Sequence, residues 1–511
     1  VLIPPQVILD SSVRRSKITR EDLKGKAIRG GFVKACAQAV GFLLRIGSLM
    51  VLARLLEPED FGLVAMVTVV TGVFGLFKDA GLSMATVQSA TITDKQISAL
   101  FWINLLVGVI LGFLSVALAP ALVAFYQEPR LFGVALALAC GFVLNAGGVQ
   151  HAAILERRMR FATLAFIEII SLLLSVAVGI IMAVNGCGYW TLVGMALVTP
   201  AAFSIGVWLA ADWIPGMPQR KAGIRPMMRF GGTVTLGNLI IYVAFNTEKV
   251  LLGRYWGAEA LGLYGRAYQL VNIPTENLNS AIGGVALSAL SRLQNDPHRL
   301  KNYFLKGYSL VLALTLPITM ACALFAEDII FVFLGPKWMS AAIIFRLLTP
   351  VILVFALINP LGWLLISTGK IGRSLKISLV LAPLVIVACV AGLPYGPTGV
   401  ALGFSAMMSL MVMPVIAWAI HGTLVSSRNI LQAVGRSFIS GVFAAALAFG
   451  VQFFFGQMLS PLLRLVMGCS VLLFTYLWML LYVMRQKAFY FSLLKELRWQ
   501  SLVGEKEHEI S

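Results

Sequence analysis

Residues 162–184 read ATLAFIEIISLLLSVAVGIIMAV, with one charge, Glu168. A helix of this length, at about 1.5 Å per residue, crosses the ~30 Å hydrocarbon core of a bilayer. Stretches like it recur along nearly the whole chain of 511 residues. Their spacing predicts fourteen spans, at 30–53, 61–85, 97–124, 130–150, 162–184, 188–210, 230–252, 260–287, 304–326, 340–365, 374–392, 397–420, 436–457 and 461–484. The least regular are 61–85, which carries Lys78–Asp79, and 230–252, which carries Asn238, Asn246, Glu248 and Lys249. The composition agrees: 59% hydrophobic, 12% charged, mean hydropathy +0.89. A soluble domain holds about 25% charged residues. An ordinary soluble enzyme and a disordered chain are both excluded. The expected class is an all-α polytopic membrane protein.

Net charge is +18. In a soluble chain that excess would suggest nucleic acid, but here it follows topology. With the N-terminus in the cytoplasm, 29 Lys/Arg fall in cytoplasmic tails and loops and six on the opposite side. The first set includes Arg14 to Arg29 of the tail, Arg157, Arg158 and Arg160, Arg220 to Arg229, and Lys370, Arg373 and Lys376. Basic residues gather on the cytoplasmic side of membrane proteins. Both termini are therefore expected in the cytoplasm, with no nucleic-acid partner and with anionic lipid as a natural neighbour.

The chain also repeats itself. Residues 54–65 read RLLEPEDFGLVA and 254–265 read RYWGAEALGLYG. An offset of 200 pairs Arg54, Glu59, Gly62 and Leu63 with Arg254, Glu259, Gly262 and Leu263, and Arg29 and Gly31 with Arg229 and Gly231. Six spans separate the copies, so both run in the same sense, as parallel repeats do. The expected organisation is a tail (1–27), a first six-helix bundle (28–211), a linker (212–229), a second bundle (230–425), a terminal helix pair (426–484) and a cytoplasmic tail (485–511). Two like bundles facing a central cavity is a transporter plan.

Ionisable groups at membrane depth mark functional positions, since each needs a cavity or a partner. In the first span Lys34, Gln38, Gly41, Arg45 and Ser48 share one helical face. Asn238, Tyr242, Asn246 and Lys249 share a face of the seventh, with Glu248 adjacent. Arg266, Gln269, Asn272 and Glu276 follow in the eighth, where Pro274 frees a backbone carbonyl. Arg346 is a further candidate. A basic lining in low-dielectric surroundings attracts an anion, and the arginine fork suits phosphate oxygens. The substrate-binding candidates are thus Lys34, Gln38, Arg45, Asn238, Tyr242, Lys249, Arg266, Gln269 and Arg346. Glu168, Glu248 and Glu276 are candidates for a coupling proton or cation, or for pairing with a nearby base.

No catalytic machinery is legible. There is no phosphate-binding Walker loop, no G-x-G-x-x-G after a strand, no H-E-x-x-H and no G-x-S-x-G. Six cysteines stand singly and four histidines are scattered, so neither a metal nor a cofactor is expected.

Several segments carry a family resemblance: LARLLEPEDFGLVAM at 52–66, ERRMRFATLAFIEI at 156–169, GYWTLV at 188–193, GRYWGAEALGLYGRAYQLVNIP at 253–274, ALSRLQNDPHRL at 289–300 and LGPKW at 334–338. The chain resembles polysaccharide flippases of the superfamily that also holds the multidrug extruders and the lipid II flippase, in its exopolysaccharide and lipopolysaccharide branch. The resemblance implies fourteen helices and alternating access in a bacterial inner membrane. It implies an undecaprenyl-diphosphate-linked oligosaccharide as cargo, moved from the cytoplasmic to the periplasmic leaflet. It also implies membrane glycosyltransferases and a periplasmic polymerase as working partners. Arg45 and Arg266 match its diphosphate-facing basic residues by helix and depth. The acidic residue that multidrug extruders carry in the first span is missing here. Export of small soluble or amphipathic compounds, and flipping of the peptidoglycan precursor, remain alternatives.

Overall fold

The computed structural model describes residues 20–77, 83, 86–87, 92–217, 239, 242–243, 245–455, 459–488 and 490. Asn238, the Lys78–Asp79 pair, most of the N-terminal tail, the 218–229 stretch of the linker and the last 21 residues lie outside them. Every described element is helical, as lipid demands, because a helix satisfies its backbone polar groups internally. In chain order they are α1 (Arg20–Leu55), α2 (Pro58–Gly75), α3 (Asp94–Tyr126), α4 (Leu131–Arg157), α5 (Phe161–Val184), α6 (Trp190–Ala211), α7 (Thr247–Arg292) and α8 (Pro297–Leu324). The short α9 (Ala326–Phe333) and α10 (Ala341–Leu348) come next, then α11 (Pro350–Ser367), α12 (Ile371–Gly392), α13 (Gly396–Ile420), α14 (Ser427–Phe455) and α15 (Pro461–Trp478). Among the described residues, eleven segments are long and apolar enough to cross a membrane. Two helices, α12 and α13, fall within one of these segments, separated by the turn Leu393–Tyr395.

Helix starts follow local chemistry. Proline opens α2, α8, α11 and α15, where its missing N–H is no loss. Thr93 caps α3: its hydroxyl accepts from the N–H of Gln96 at 3.3 Å, and the Gln96 side chain accepts from the N–H of Thr93 at 3.0 Å. Several helices overrun the expected spans, since hydrogen bonding continues beyond the apolar stretch.

α7 covers the expected eighth span and only residues 247–252 of the seventh, of which 230–238, 240–241 and 244 lie outside the described residues. Two helical segments meet within it at Gly257, with φ 80° and ψ −174°, inside the expected break at 253–259. Glycine takes that left-handed conformation without a Cβ penalty. Its counterpart at the offset of 200 is Glu57, the break between α1 and α2.

Packing relies on small residues, because lipid supplies no hydrophobic drive between helices. A Cβ at Gly108 would meet Ala146, one at Gly148 would meet Ser204, and one at Gly403 would overlap the Ala388 carbonyl. Helices α1 and α3 to α6 pack mainly on one another, as do α7, α8 and α10 to α13, while α2 packs mainly on α7. The crossing of α2 with α7 ties the groups together, while α14 and α15 dock on α8 and α9. Large apolar side chains such as Phe113, Leu209, Phe453 and Phe474 point outward, as on a lipid-facing surface.

The repeated glycines meet at the α2–α7 crossing. A Cβ on Gly62 would overlap the carbonyl of Ala258, and a Cβ on Gly262 would overlap that of Pro58. These contacts exchange under the offset of 200, so the crossing is locally two-fold.

Candidate functional site

The α1 face carrying Gln38, Gly41, Arg45 and Leu49 turns toward Glu168 and Leu172 of α5 and toward Tyr268, Gln269, Asn272 and Glu276 of α7. Together with Lys249 they enclose a cavity of about 720 Å³. Two side compartments share its walls. One, of about 560 Å³ between α2, α4, α5 and α6, also touches Arg45, Glu168 and Leu172. The other, of about 450 Å³ among α7, α11, α12 and α13, also touches Tyr268, Asn272 and Glu276. Arg45 and Glu168 therefore stand at one doorway and Glu276 at the other.

Among the described residues, Arg45, Glu168 and Glu276 make no hydrogen bond or ion pair. An unpaired charge in a low-dielectric cavity is a strong attractor for an ion of opposite sign. Lys249 is held in place: its Nζ donates to Asn246 Oδ1 at 2.8 Å and lies 4.6 Å from the Tyr268 ring centroid. Asn246 donates in turn to the Tyr242 carbonyl at 2.9 Å, and the Tyr242 hydroxyl donates to the Val69 carbonyl at 2.9 Å. The polar face of the seventh span is thus a bracket between α7 and α2.

Of the twelve candidates read from the sequence, six line the central cavity: Gln38, Arg45, Lys249, Gln269, Glu168 and Glu276. Others are placed elsewhere. Arg266 stacks on Phe61 with its guanidinium 4.1 Å from the ring centroid and donates to Gln269. It orients a lining residue instead of lining the cavity itself. Arg346 is drawn off by Glu327 in the first turn of α9, with 3.2 Å between them, and the structure does not bring it to the cavity. Lys34 is exposed beside the Phe161 ring, 5.9 Å from its centroid. Asn238 lies outside the described residues. Glu248 is sealed at 1% exposure, and neither oxygen has a hydrogen-bond partner among the described residues. The Lys249 ammonium is 3.9 Å away.

The cavity is closed at the Leu55–Pro58 end. There Trp338 donates through Nε1 to the Ala53 carbonyl at 2.7 Å and packs edge-on against Phe61 at 5.3 Å. Lys337 reaches Glu57 at 2.6 Å, and Arg54 donates to the Val332 carbonyl at 2.8 Å. Outside this plug Arg130 binds Glu59 at 2.5 Å and Glu128 at 2.8 Å. Hydrogen bonds from Arg130 hold the Glu128 carboxyl below its ordinary range.

Residues 51–343 match the profile of the family described as polysaccharide biosynthesis protein. The chain belongs to that family. It is 27% identical over 389 residues to the lipopolysaccharide biosynthesis protein WzxC of Escherichia coli (strain K12), covering 75% of this chain and 78% of that one. To the teichuronic acid biosynthesis protein TuaB of Bacillus subtilis (strain 168) it is 28% identical over 297 residues, covering 57% and 61%. Its fold is similar to that of the lipid II flippase MurJ in an inward closed conformation, with a TM-score of 0.73 at 12% identity over 89% of this chain and 100% of that one. An inward-facing multidrug resistance MATE family transporter gives 0.60 at 16% identity over 77% and 95%. This polysaccharide biosynthesis protein is therefore a polytopic all-α chain with the fold of those two proteins and many helices long and apolar enough to cross a membrane.

Sequence reading missed the Trp338 plug and both side compartments. The signal for the plug was weak, a single Trp distant in sequence from α1. The side compartments are lined by Thr, Ser and Asn residues spread over several helices, of which only α7, with Asn272, Thr275, Glu276 and Asn279, carries four on one face.

Proposed function

We propose that the protein translocates an undecaprenyl-diphosphate-linked oligosaccharide repeat unit from the cytoplasmic to the periplasmic leaflet, during exopolysaccharide or lipopolysaccharide biosynthesis. The observation that carries this is the unpaired Arg45 in one central cavity with Lys249, whose other polar lining is amides, the Tyr268 phenol and two carboxylates among apolar side chains. Family membership supports it: the relatives are described as lipopolysaccharide and teichuronic acid biosynthesis proteins, and a protein of similar fold as a lipid II flippase.

The mechanism breaks no bond. The guanidinium of Arg45 and the ammonium of Lys249 replace water around the diphosphate, while the prenyl tail remains in lipid. We read fourteen crossings in two six-helix bundles and a terminal pair, counting the spans on either side of Gly257 as two and α12 and α13 separately. Both termini are cytoplasmic in this reading, so the Trp338 plug closes the periplasmic face and the cavity opens inward. Parting the α2–α7 crossing would open the other side. Release requires that binding stay weak. Of the three carboxylates, Glu248 is best placed for a coupling proton or sodium ion, since a sealed carboxylate with unsatisfied oxygens is costly without one. Glu168 and Glu276 are open to the cargo cavity and serve less well. Membrane lipid, glycosyltransferases and a periplasmic polymerase are the expected partners.

The test is headgroup translocation in proteoliposomes, followed by access of an impermeant reagent to undecaprenyl-diphosphate oligosaccharides. Protein-dependent flipping that falls in Arg45→Ala supports the reading. Folded protein that moves none of a panel, with proton and sodium gradients imposed in turn, refutes it.

A further inference from the structure

The compartment between α2, α4, α5 and α6 has a chemistry of its own. Four hydroxyls line it, and each donates its hydrogen to its own helix four residues back. Thr68 donates to the Val64 carbonyl at 2.9 Å, Thr71 to Val67 at 2.8 Å, Ser171 to Ile167 at 2.8 Å and Thr199 to Met195 at 2.9 Å. With the hydrogen committed, only lone pairs remain to face the hollow. Glu168 adds two carboxylate oxygens and Asn145 an amide, and neither has a partner among the described residues. The polar wall is therefore rich in acceptors. Its complement is a ligand rich in O–H donors.

The remaining wall is apolar and partly flat. Phe142 and Phe203 contribute rings, and Gly75 leaves the backbone bare. Ring faces carry partial negative charge and suit polarised C–H groups. Acceptors and aromatic rings in one lining match a sugar, which has hydroxyls at its edge and C–H groups on its faces. A phosphate has no donor for these acceptors and is repelled by Glu168, so its place is at the mouth beside Arg45.

We infer that this compartment is a glycan subsite, which takes a neutral hydroxyl-rich sugar unit while Arg45 at its doorway holds the adjoining phosphate outside it. The inference rests on the flippase reading for the source of the sugar. It adds which half of the protein reads the glycan and how the headgroup is oriented. Glu168 becomes a sugar-binding residue, with Thr199 and Asn145 as its companions. Because lone pairs recognise hydroxyls without regard to a particular sugar, several hexoses should be accepted.

Thr199→Cys in the otherwise unchanged chain tests this, with maleimide modification at that position read by mass spectrometry. The probes are undecaprenyl diphosphate, the same lipid carrying a hexose disaccharide, and the free disaccharide. Protection by the glycosylated lipid and not by the bare lipid is the expected result. Protection by the free disaccharide as well would assign the site to sugar independent of its carrier. Equal protection by bare and glycosylated lipid, or by neither, overturns the inference. Translocation is measured separately. Glu168→Ala should slow the glycosylated lipid roughly tenfold to a hundredfold more than it slows the bare lipid, as loss of a hydrogen bond to a charged group does. Equal slowing of both would make Glu168 a general coupling residue and overturn its assignment here. Protection without any translocation would retain the sugar site and refute the flippase reading instead.

Discussion

The glycine pair at the α2–α7 crossing gives the sharpest prediction. A methyl at Gly62 runs into the Ala258 carbonyl, and one at Gly262 into the Pro58 carbonyl. Both obstacles are backbone, so no side chain can turn aside. Gly262→Ala also brings its methyl to 3.2 Å from the Gly62 nitrogen. The helices must part at this point before either methyl fits. Overpacking of this kind costs about 1–3 kcal/mol. If the closed plug requires this contact and the opened one does not, the cost falls on the closed state alone. A shift of about 2 kcal/mol changes the ratio of the two states some thirtyfold. Gly62→Ala and Gly262→Ala should therefore favour opening at the Leu55–Pro58 end.

The reporter is Leu56→Cys, at a position 3% exposed behind the plug. Its labelling by an impermeant maleimide should rise by about that factor in either glycine variant, with melting temperature as the control for unfolding. The double variant should show less than the summed effect, because one separation of the helices relieves both clashes and contacting sites are not additive. Unchanged labelling and unchanged melting in Gly262→Ala would refute the reasoning, since the crossing would then be loose enough to hold a side chain.

Two further outcomes follow from ion pairs away from the cavity. Arg464 of α15 binds both oxygens of Asp328 at 2.8 Å, and Asp328 is 1% exposed. Arg464→Met leaves a buried carboxylate alone and should cost about 3–5 kcal/mol of stability, whereas Arg464→Met with Asp328→Leu should recover most of it; equal melting of the single and double variants would refute the pairing. The Glu128 carboxyl is held low by Arg130, so its contribution is present above the ordinary carboxylate pKa and is lost as pH falls through the lowered value. Arg130→Ala should flatten stability against pH in that acidic window, as a denaturation series in mild acid would show.

The sequence made the membrane class and the repeat legible because both are carried by local pattern. Run length needs no knowledge of partners, and Gly62 and Gly262 stand at an offset that structure turns into a two-fold contact. Arg45 was legible too, since helical spacing put it on a face with Gln38 and Gly41 that had to turn toward something polar. What could not be read was how one helix rotates against another. Arg266 and Arg346 look alike in sequence, each an arginine within an apolar stretch. Phe61 and Gln269 take up the first and Glu327 the second, and only tertiary packing selects those partners. The break at Gly257, by contrast, falls between the expected spans 230–252 and 260–287.

The basic residues that set the charge bias have a structural role that separates them from Arg45. In the loop after α4, Arg158 donates to the Ala211 carbonyl at 2.8 Å and Arg160 to Ala210 at 2.7 Å, at the C-terminus of α6. In the loop after α11, Lys370 donates to the Gly422 carbonyl at 2.5 Å, while Arg373 in the first turn of α12 donates to Ala419 at 3.2 Å and also to His421, at the C-terminus of α13. The two halves thus use the same device, cations on the unsatisfied carbonyls at the negative end of a helix. A guanidinium committed in this way is not free for an anionic headgroup, whereas Arg45 is. The two classes should separate on mutation. Arg373→Met should lower stability by about 1–2 kcal/mol and leave transport per folded molecule near that of the unchanged protein. Arg45→Met should leave stability almost unchanged and slow transport by tenfold or more, as loss of a charged hydrogen bond does. Melting temperature and translocation measured on the same samples decide it. If Arg373→Met slowed transport of folded protein as much as Arg45→Met did, the anion would be reading the loops, and the unpaired guanidinium at mid-membrane would need another explanation.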